Sequence, residues 1–322
     1  MRKIILGRTN VAVSAISLGT WSFGGPNMSG KRAVGWGGQE DTDSQAALMR
    51  AWELGINHWD TADVYGEGHS EKIIGQMWTT VPRKDIFLAT KVGWDKGPYQ
   101  SWYNPVHMRN KLEQSLLNLK TDCLDLVYLH HCEFGKNGEL LDDAIEALRN
   151  FQKEGKIKFI GLSDWSLKSI VKYADRCDPD VIQPYRNLMD DSYRSSGLKA
   201  LIDKKNLGVC FFSPIKHGLL TGKYKQAAEF DPGDFRGNIN DFSNQTILDT
   251  MSINKAKLEK RFYEHPNPVM HGIVDALFTD APTGCALLGQ RNLAQVEAAA
   301  TLGELLNEDE SAWVKSLYAN IF

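Results

Sequence analysis

Short apolar runs alternate with longer amphipathic stretches along almost the whole chain. ISLGT (16–20) precedes TDSQAALMRAWELG (42–55), whose apolar residues recur at helical spacing and which stops at a glycine. INHWD (56–60) leads to SEKIIGQMW (70–78), and DIFLATKV (85–92) leads to NPVHMRNKLEQSLLNL (104–119). In the latter, Asn104 is the expected N-cap and Pro105 suits the first helical position. CLDLVYLH (123–130) is followed by LLDDAIEALRNFQKEG (140–155), IKFIGLS (157–163) by SLKSIVKYAD (166–175), and DVIQP (180–184) by SGLKALIDKKN (196–206). GVCFFS (208–213) runs into a long polar loop and then a helix, and GCALLG (284–289) into NLAQVEAAATLGELL (292–306). The result is eight strand–helix pairs. Their nearly continuous apolar strands are what a parallel sheet covered on both faces requires.

Two α/β architectures compete for this pattern. A doubly wound sheet normally carries GxGxxG after its first strand. Here ISLGTWSFGG does not fit, and GEG at 66–68 lacks both a third glycine and a preceding strand. Eight repeats without a linker predict one domain over 1–322, an α/β fold of the (β/α)8 TIM barrel type. RKIILGRTNVAVS reads as an additional N-terminal β-hairpin placed to plug the barrel floor. The Gly-, Asp- and Asn-rich stretch 223–250, after the seventh strand, is long for a compact domain and is read as a functional lid.

Composition narrows the function classes. The 322 residues are 42% hydrophobic, enough for a large core, and the formal charge of −3 offers no basic field for nucleic acid or an anionic membrane. MRKIILGRTN is too short in apolar residues for a signal peptide, and no segment approaches the length of a membrane span. The five cysteines are an odd number, widely spaced and without a CxxC pair; most sit in apolar runs, where a free thiol acts as a small hydrophobe. A reducing cytosol is the expected location, and the Asn-x-Ser/Thr matches at Asn27 and Asn244 are read as chance.

Barrel enzymes carry their chemistry at the C-terminal ends of the strands. The second strand ends in Asp60, the third in Lys91 and the fourth in His130, and Tyr65 lies in the loop above the second. Singly, each has a structural reading: a turn-forming Asp, a solvated Lys, a hydrogen-bonding His, a packing Tyr. Together they predict proton transfer to a carbonyl oxygen. A free phenol is a poor acid at neutral pH; a neighbouring ammonium lowers its pKa, and Asp60 would hold that ammonium in place. His130 would donate to the substrate oxygen. Adjacent strand residues point to opposite faces, so His130, His131 and Cys132 are not expected to share an ion, and no metal is predicted.

DTADVYG (60–66), ATKVG (89–93), DLVYLH (125–130), GKIKFIGLS (155–163) and SPIKHGLLTGKY (213–224) together resemble the aldo-keto reductase superfamily. The similarity runs from LGRTNVAVSAISLGTW to GQRNLAQV (289–296), closer in form to the longer bacterial members and potassium-channel β-subunit relatives than to the short aldose reductases. It implies a nicotinamide-dependent carbonyl reductase without metal or flavin, using NADPH/NADP with NADH possible. Its substrate would be a small-molecule aldehyde, ketone or sugar. The family's catalytic tetrad falls on Asp60, Tyr65, Lys91 and His130. Ser163, Asp164 and Gln183 match its carboxamide-holding residues, Phe212 its stacking aromatic, and Thr20 and Trp21 lie beside the same ring. Ser213, Pro214, Ile215 and Lys223 match the pyrophosphate clamp, while Arg236, Gly289, Arg291 and Gln295 match the adenosine end.

Several positions depart from that pattern. Asp164 replaces the usual Asn with an acceptor-only group, Phe212 replaces Tyr or Trp, and Leu288 stands where a proline is common. Ala298 and Ala299 replace residues that often hold adenine, leaving the NADPH preference resting on Arg291 and Gln295. Trp94 and His131 are the candidate substrate contacts, among several rim aromatics that include Tyr99, Trp102, Tyr103 and Trp165. Two rival readings remain: a redox-sensing subunit that binds cofactor and turns over little, and a Schiff-base aldolase using Lys91.

Overall fold

The computed structural model describes residues 1–319 and 321. Antiparallel strands β1 (Lys3–Ile5) and β2 (Ala12–Ser14) form the N-terminal hairpin, with Asn10 in the left-handed region at its turn. Ile4, Leu6, Val13 and Ala15 pack against the inward side chains Phe87, Ala89, Leu126, Tyr128 and Val181, so the hairpin closes the barrel floor.

Next come β3 (Ile16–Gly19) and a two-stranded ribbon, β4 (Met28–Ser29) with β5 (Arg32–Ala33). The remaining strands are β6 (His58–Asp60), β7 (Phe87–Val92), β8 (Leu124–Leu129), β9 (Ile157–Asp164), β10 (Val181–Pro184), β11 (Gly208–Phe212) and β12 (Cys285–Gly289). Strands β3 and β6 to β12 pair in parallel and close in chain order, giving the expected (β/α)8 barrel. Every residue of β7 and β8 is buried, which explains why these strands show no apolar–polar alternation. Outward residues such as Leu18, Trp59, Leu88, Val127, Leu162 and Phe211 form the layer under the helices.

The outer helices are α1 (Asp41–Glu53), α2 (His69–Gln76), α3 (Pro105–Leu119), α4 (Leu141–Lys153), α5 (Leu167–Cys177) and α6 (Leu198–Lys205). They are followed by α7 (Gln245–Arg261), the single turn α8 (Pro268–Met270), α9 (Leu293–Ala300) and α10 (Glu308–Tyr318). The Asn104 side chain accepts the Val106 and His107 N–H groups at 3.0 and 3.2 Å, capping α3 as expected.

Three boundaries differ from the sequence reading. Helix α7 begins inside the stretch read as loop, because the Asn244 side chain caps it by accepting the Ile247 N–H at 3.3 Å. Helix α9 ends at Ala300, short of 306, and the chain turns through Gly303 at φ 102°. The polar run from 307, not read as an element, is α10, capped by Asn307. Among the described residues, no helix is long and apolar enough to cross a membrane.

Candidate active site

Strand periodicity directs Asp60 and Lys91 into the barrel at its C-terminal end, and both are almost wholly buried. Lys91 Nζ donates to Asp60 Oδ1, to the Thr61 carbonyl at 2.7 Å and to Tyr65 Oη at 3.4 Å. The other Asp60 oxygen accepts from Gln183 Nε2 at 2.8 Å. Tyr65 is held by a turn in which its N–H reaches the Ala62 carbonyl and its own carbonyl accepts the Ser70 N–H, both at 3.2 Å. Gly24 presses on that turn: a Cβ there would lie 2.6 Å from Gly66 N. The Trp21 ring stacks on the Tyr65 ring at 5.9 Å, and the His130 ring meets it edge-on at 6.0 Å. Two strands, a loop and the segment after a third strand thus converge on one phenol.

Burial and charge set the protonation states. Desolvation raises the Tyr65 phenol above its ordinary value, and the nearby Lys91 ammonium only partly offsets this. The sequence reading expected Lys91 to prevail; desolvation is the larger effect at this half-buried residue, and the phenol keeps its proton. Burial alone would lower Lys91, but Asp60 and then Tyr65 outweigh it and the ammonium stays charged above its ordinary range. His130 is pushed well below an ordinary imidazole, first by burial and then by Lys91. Its Nδ1 is buried without a hydrogen-bond partner.

Residues expected to line the rest of the mouth divide into groups. Ser163 and Gln183 are buried neighbours on β9 and β10, 3.5 Å apart at Oγ and Oε1. Asp164 is engaged locally: its two oxygens accept the Cys132 and Ser166 N–H groups, each at 2.6 Å. Thr20 is fully buried and ties strand ends together, donating to the Asp60 carbonyl at 2.9 Å and accepting from Ser70 Oγ at 2.7 Å. Trp21 Nε1 donates to the Val34 carbonyl at 2.9 Å. Phe212 ends β11 with its edge contacts to Trp165 and Tyr185 at 4.9 and 5.6 Å. Beyond it, Ser213, Lys216 and His217 all adopt left-handed φ, at 57°, 46° and 57°. Three non-glycine residues in that region within five positions is strain of the kind found at ligand clamps. Lys223 is exposed, with Nζ 4.9 Å from the Tyr224 ring.

The adenosine-end candidates also form a group. Arg236 makes a two-pronged pair with Asp234 and contacts Tyr224 Oη at 3.2 Å. Arg291 instead has neutral partners: Gln39 Oε1 at 2.8 Å and the Gly37 and Gly38 carbonyls at 2.6 and 2.5 Å. Gln295 accepts the Arg291 N–H at 2.9 Å, and a Cβ on Gly289 would meet nothing within 4 Å.

The aldo/keto reductase family model matches residues 15–317. The chain belongs to that family. Aldo-keto reductase yakc of Schizosaccharomyces pombe, whose name carries NADP(+), is 31% identical over 233 residues, covering 70% of this chain and 67% of the relative. An Escherichia coli protein named NADH-specific methylglyoxal reductase is 30% identical over 263 residues, covering 77% of each chain. Among solved structures, the glycerol dehydrogenase AKR11B4 of Gluconobacter oxydans superposes with a TM-score of 0.80 at 26% identity, covering 98% of this chain and 94% of the other.

In this aldo/keto reductase the candidate substrate residues have unequal surroundings. Trp94 is partly exposed and packs 4.2 Å from the His131 ring. His131 is buried, with Nε2 2.9 Å from the Gly93 carbonyl and Nδ1 accepting the Glu133 N–H at 3.1 Å, so backbone engages both nitrogens. Tyr103 is buried and donates to the His131 carbonyl at 2.6 Å, a packing role. Sequence reasoning missed an aromatic group over the mouth: Phe235 of the long loop lies 5.0 Å from Trp21 and 5.2 Å from His217, with Trp36 beyond. That loop is tied to the 25–38 segment by the Gly37 N–H, which reaches Asp234 Oδ2 at 3.0 Å. His217 lies inside a motif that was read, but only the φ angles reveal its direction. A second missed group, His58 with Cys210 and Cys285, lies deeper in the barrel.

Proposed function

We propose that this aldo/keto reductase reduces an aldehyde, ketone or sugar carbonyl with a nicotinamide cofactor, Tyr65 giving the proton. The observation that carries the reading is Lys91 Nζ, which joins buried Asp60 to Tyr65 Oη at 3.4 Å. A bound nicotinamide supplies the hydride to the carbonyl carbon. The chain supplies the rest. Tyr65 keeps its proton at neutral pH, and the ammonium beside it stabilises the phenolate left when that proton moves to the substrate oxygen. His130, neutral and with an unpartnered buried nitrogen, orients that oxygen.

The residues suit such a cofactor. Ser163 and Gln183 offer hydroxyl and amide groups to a carboxamide, and Phe212 an aromatic edge or face beside it. The run Ser213–Pro214–Ile215, which opens on the left-handed Ser213, suits a pyrophosphate together with Lys223. Asp164 would act through the turn it holds. NADPH is the preferred form in this reading. Arg236 is neutralised by Asp234, whereas Arg291 is a half-buried cation with neutral partners whose pKa is lowered by burial and then by Arg236. Such a cation gains most from an added phosphate. Gln295 holds the Arg291 backbone N–H, and Gly289 beside it adds no side chain.

A Schiff-base role for Lys91 is disfavoured, because Asp60 keeps the amine protonated. The test is oxidation of NADPH and NADH across a panel of short aldehydes, ketones and aldoses. Turnover with at least one class, faster with NADPH, supports the reading. Failure of both reduced cofactors to bind or react with any of them overturns it.

A further inference from the structure

Two thiols and an imidazole meet inside the barrel, one layer beneath Asp60 and Lys91. Cys210 on β11 and Cys285 on β12 are register partners, both fully buried, with Sγ atoms 3.5 Å apart. His58 precedes Asp60 by two residues on β6 and shares its inward face. It too is fully buried, and its Nδ1 lies 3.5 Å from Cys285 Sγ. The three ligand atoms all lie within 4.8 Å of one another, the one such grouping of His, Cys, Asp or Glu among the described residues. Polar capacity is left over here: His58 Nε2 and the inward Tyr128 hydroxyl are buried without hydrogen-bond partners.

We propose that His58, Cys210 and Cys285 bind one thiophilic d10 cation of the Zn2+ type. Bonds of about 2.3 Å to thiolate and about 2.0–2.1 Å to imidazole put the edges of a tetrahedral site near ~3.8 Å for S···S and ~3.6 Å for S···N. Two of the three edges already stand at 3.5 Å. The third, within 4.8 Å, must shorten on binding, and a further donor such as a water completes four-coordination. On binding, each thiol releases its proton and forms one metal–sulfur bond, so a dication and two thiolates give a neutral centre. Neutrality is what a site without solvent demands. A disulfide would instead require the sulfurs to close to about 2.0 Å and would leave His58 without a role.

The full chain, produced in Co2+-supplemented medium and kept reduced, tests this independently of any turnover. The expected result is one equivalent of cobalt with near-ultraviolet thiolate-to-cobalt charge-transfer absorption. Cys210→Ser and Cys285→Ser should each weaken binding at least about tenfold and diminish that absorption, while Cys123→Ser leaves it intact. If the variants fail to fold, the parent alone decides. Only traces of metal or absence of the charge-transfer absorption in the parent overturns the proposal, as does unchanged absorption in the double serine variant.

Discussion

Lys91 Nζ stands 3.4 Å from Tyr65 Oη while it donates to Asp60 and to the Thr61 carbonyl. The ammonium is therefore fixed on three sides and faces the phenol with no solvent between them to share its charge. Replacement by Lys91→Met removes the charge that offsets burial of the developing phenolate. Turnover should fall by roughly 100-fold or more, and thermal melts should show a loss on the order of 3–5 kcal/mol, because Asp60 is left buried and unpaired. Parent-like turnover would remove Lys91 from the mechanism.

His130 links the site to pH. Its folded pKa is depressed below the unfolded value of about 6.5. The stability it contributes is thus present above pH ~6.5 and is lost as pH falls through the lower folded value. Melting temperature of the parent should decline on acidification from pH 7 to pH 5, and His130→Gln should flatten part of that decline. His217, lowered to about 4 chiefly by burial, adds to the same slope and should persist in the His130 variant.

Arg291 is expected to govern cofactor choice. Arg291→Ala should raise the KM for NADPH about tenfold or more while changing that for NADH far less, since only the former carries the extra phosphate. Steady-state titrations with each cofactor measure this. Equal changes in both would assign Arg291 to holding the Gly37–Gln39 segment alone.

Asp63 is buried behind the Tyr65 loop with neither carboxylate oxygen hydrogen-bonded, and Lys111 Nζ stands 3.6 Å away. Burial raises its carboxyl to about 7 despite Lys111. A raised folded pKa contributes stability that is full below the unfolded value of about 3.9 and is lost as pH rises through about 7. Asp63→Asn should therefore raise the melting temperature more at pH 8 than at pH 5. A lower melting temperature at pH 8 would mean that the Lys111 pairing outweighs the burial penalty.

The barrel was legible because its strands are buried on both faces, so their apolar runs are unbroken and their polar ends conspicuous. Asp60, Lys91 and His130 close such runs at 60, 91 and 130, and strand parity alone turns the first two inward. What sequence cannot carry is which partner each polar group takes. Asp164 and His131 read as cofactor and substrate contacts, yet the carboxylate and both ring nitrogens engage nearby backbone. The direction of the Tyr65 shift depended on how desolvation and the Lys91 charge balance in the folded site, a tertiary property. The His58–Cys210–Cys285 grouping joins positions up to 227 residues apart and emerges only when the barrel closes. Inward parity, applied one layer below Asp60, was the signal that could have found it.

Proton delivery by Tyr65 is tested most directly by Tyr65→Phe measured against the parent. In that variant kcat/KM for carbonyl reduction should fall by about 100-fold or more, with NADPH affinity by fluorescence titration essentially unchanged. Carbonyl reduction by the phenylalanine variant at a rate close to that of the parent would contradict it.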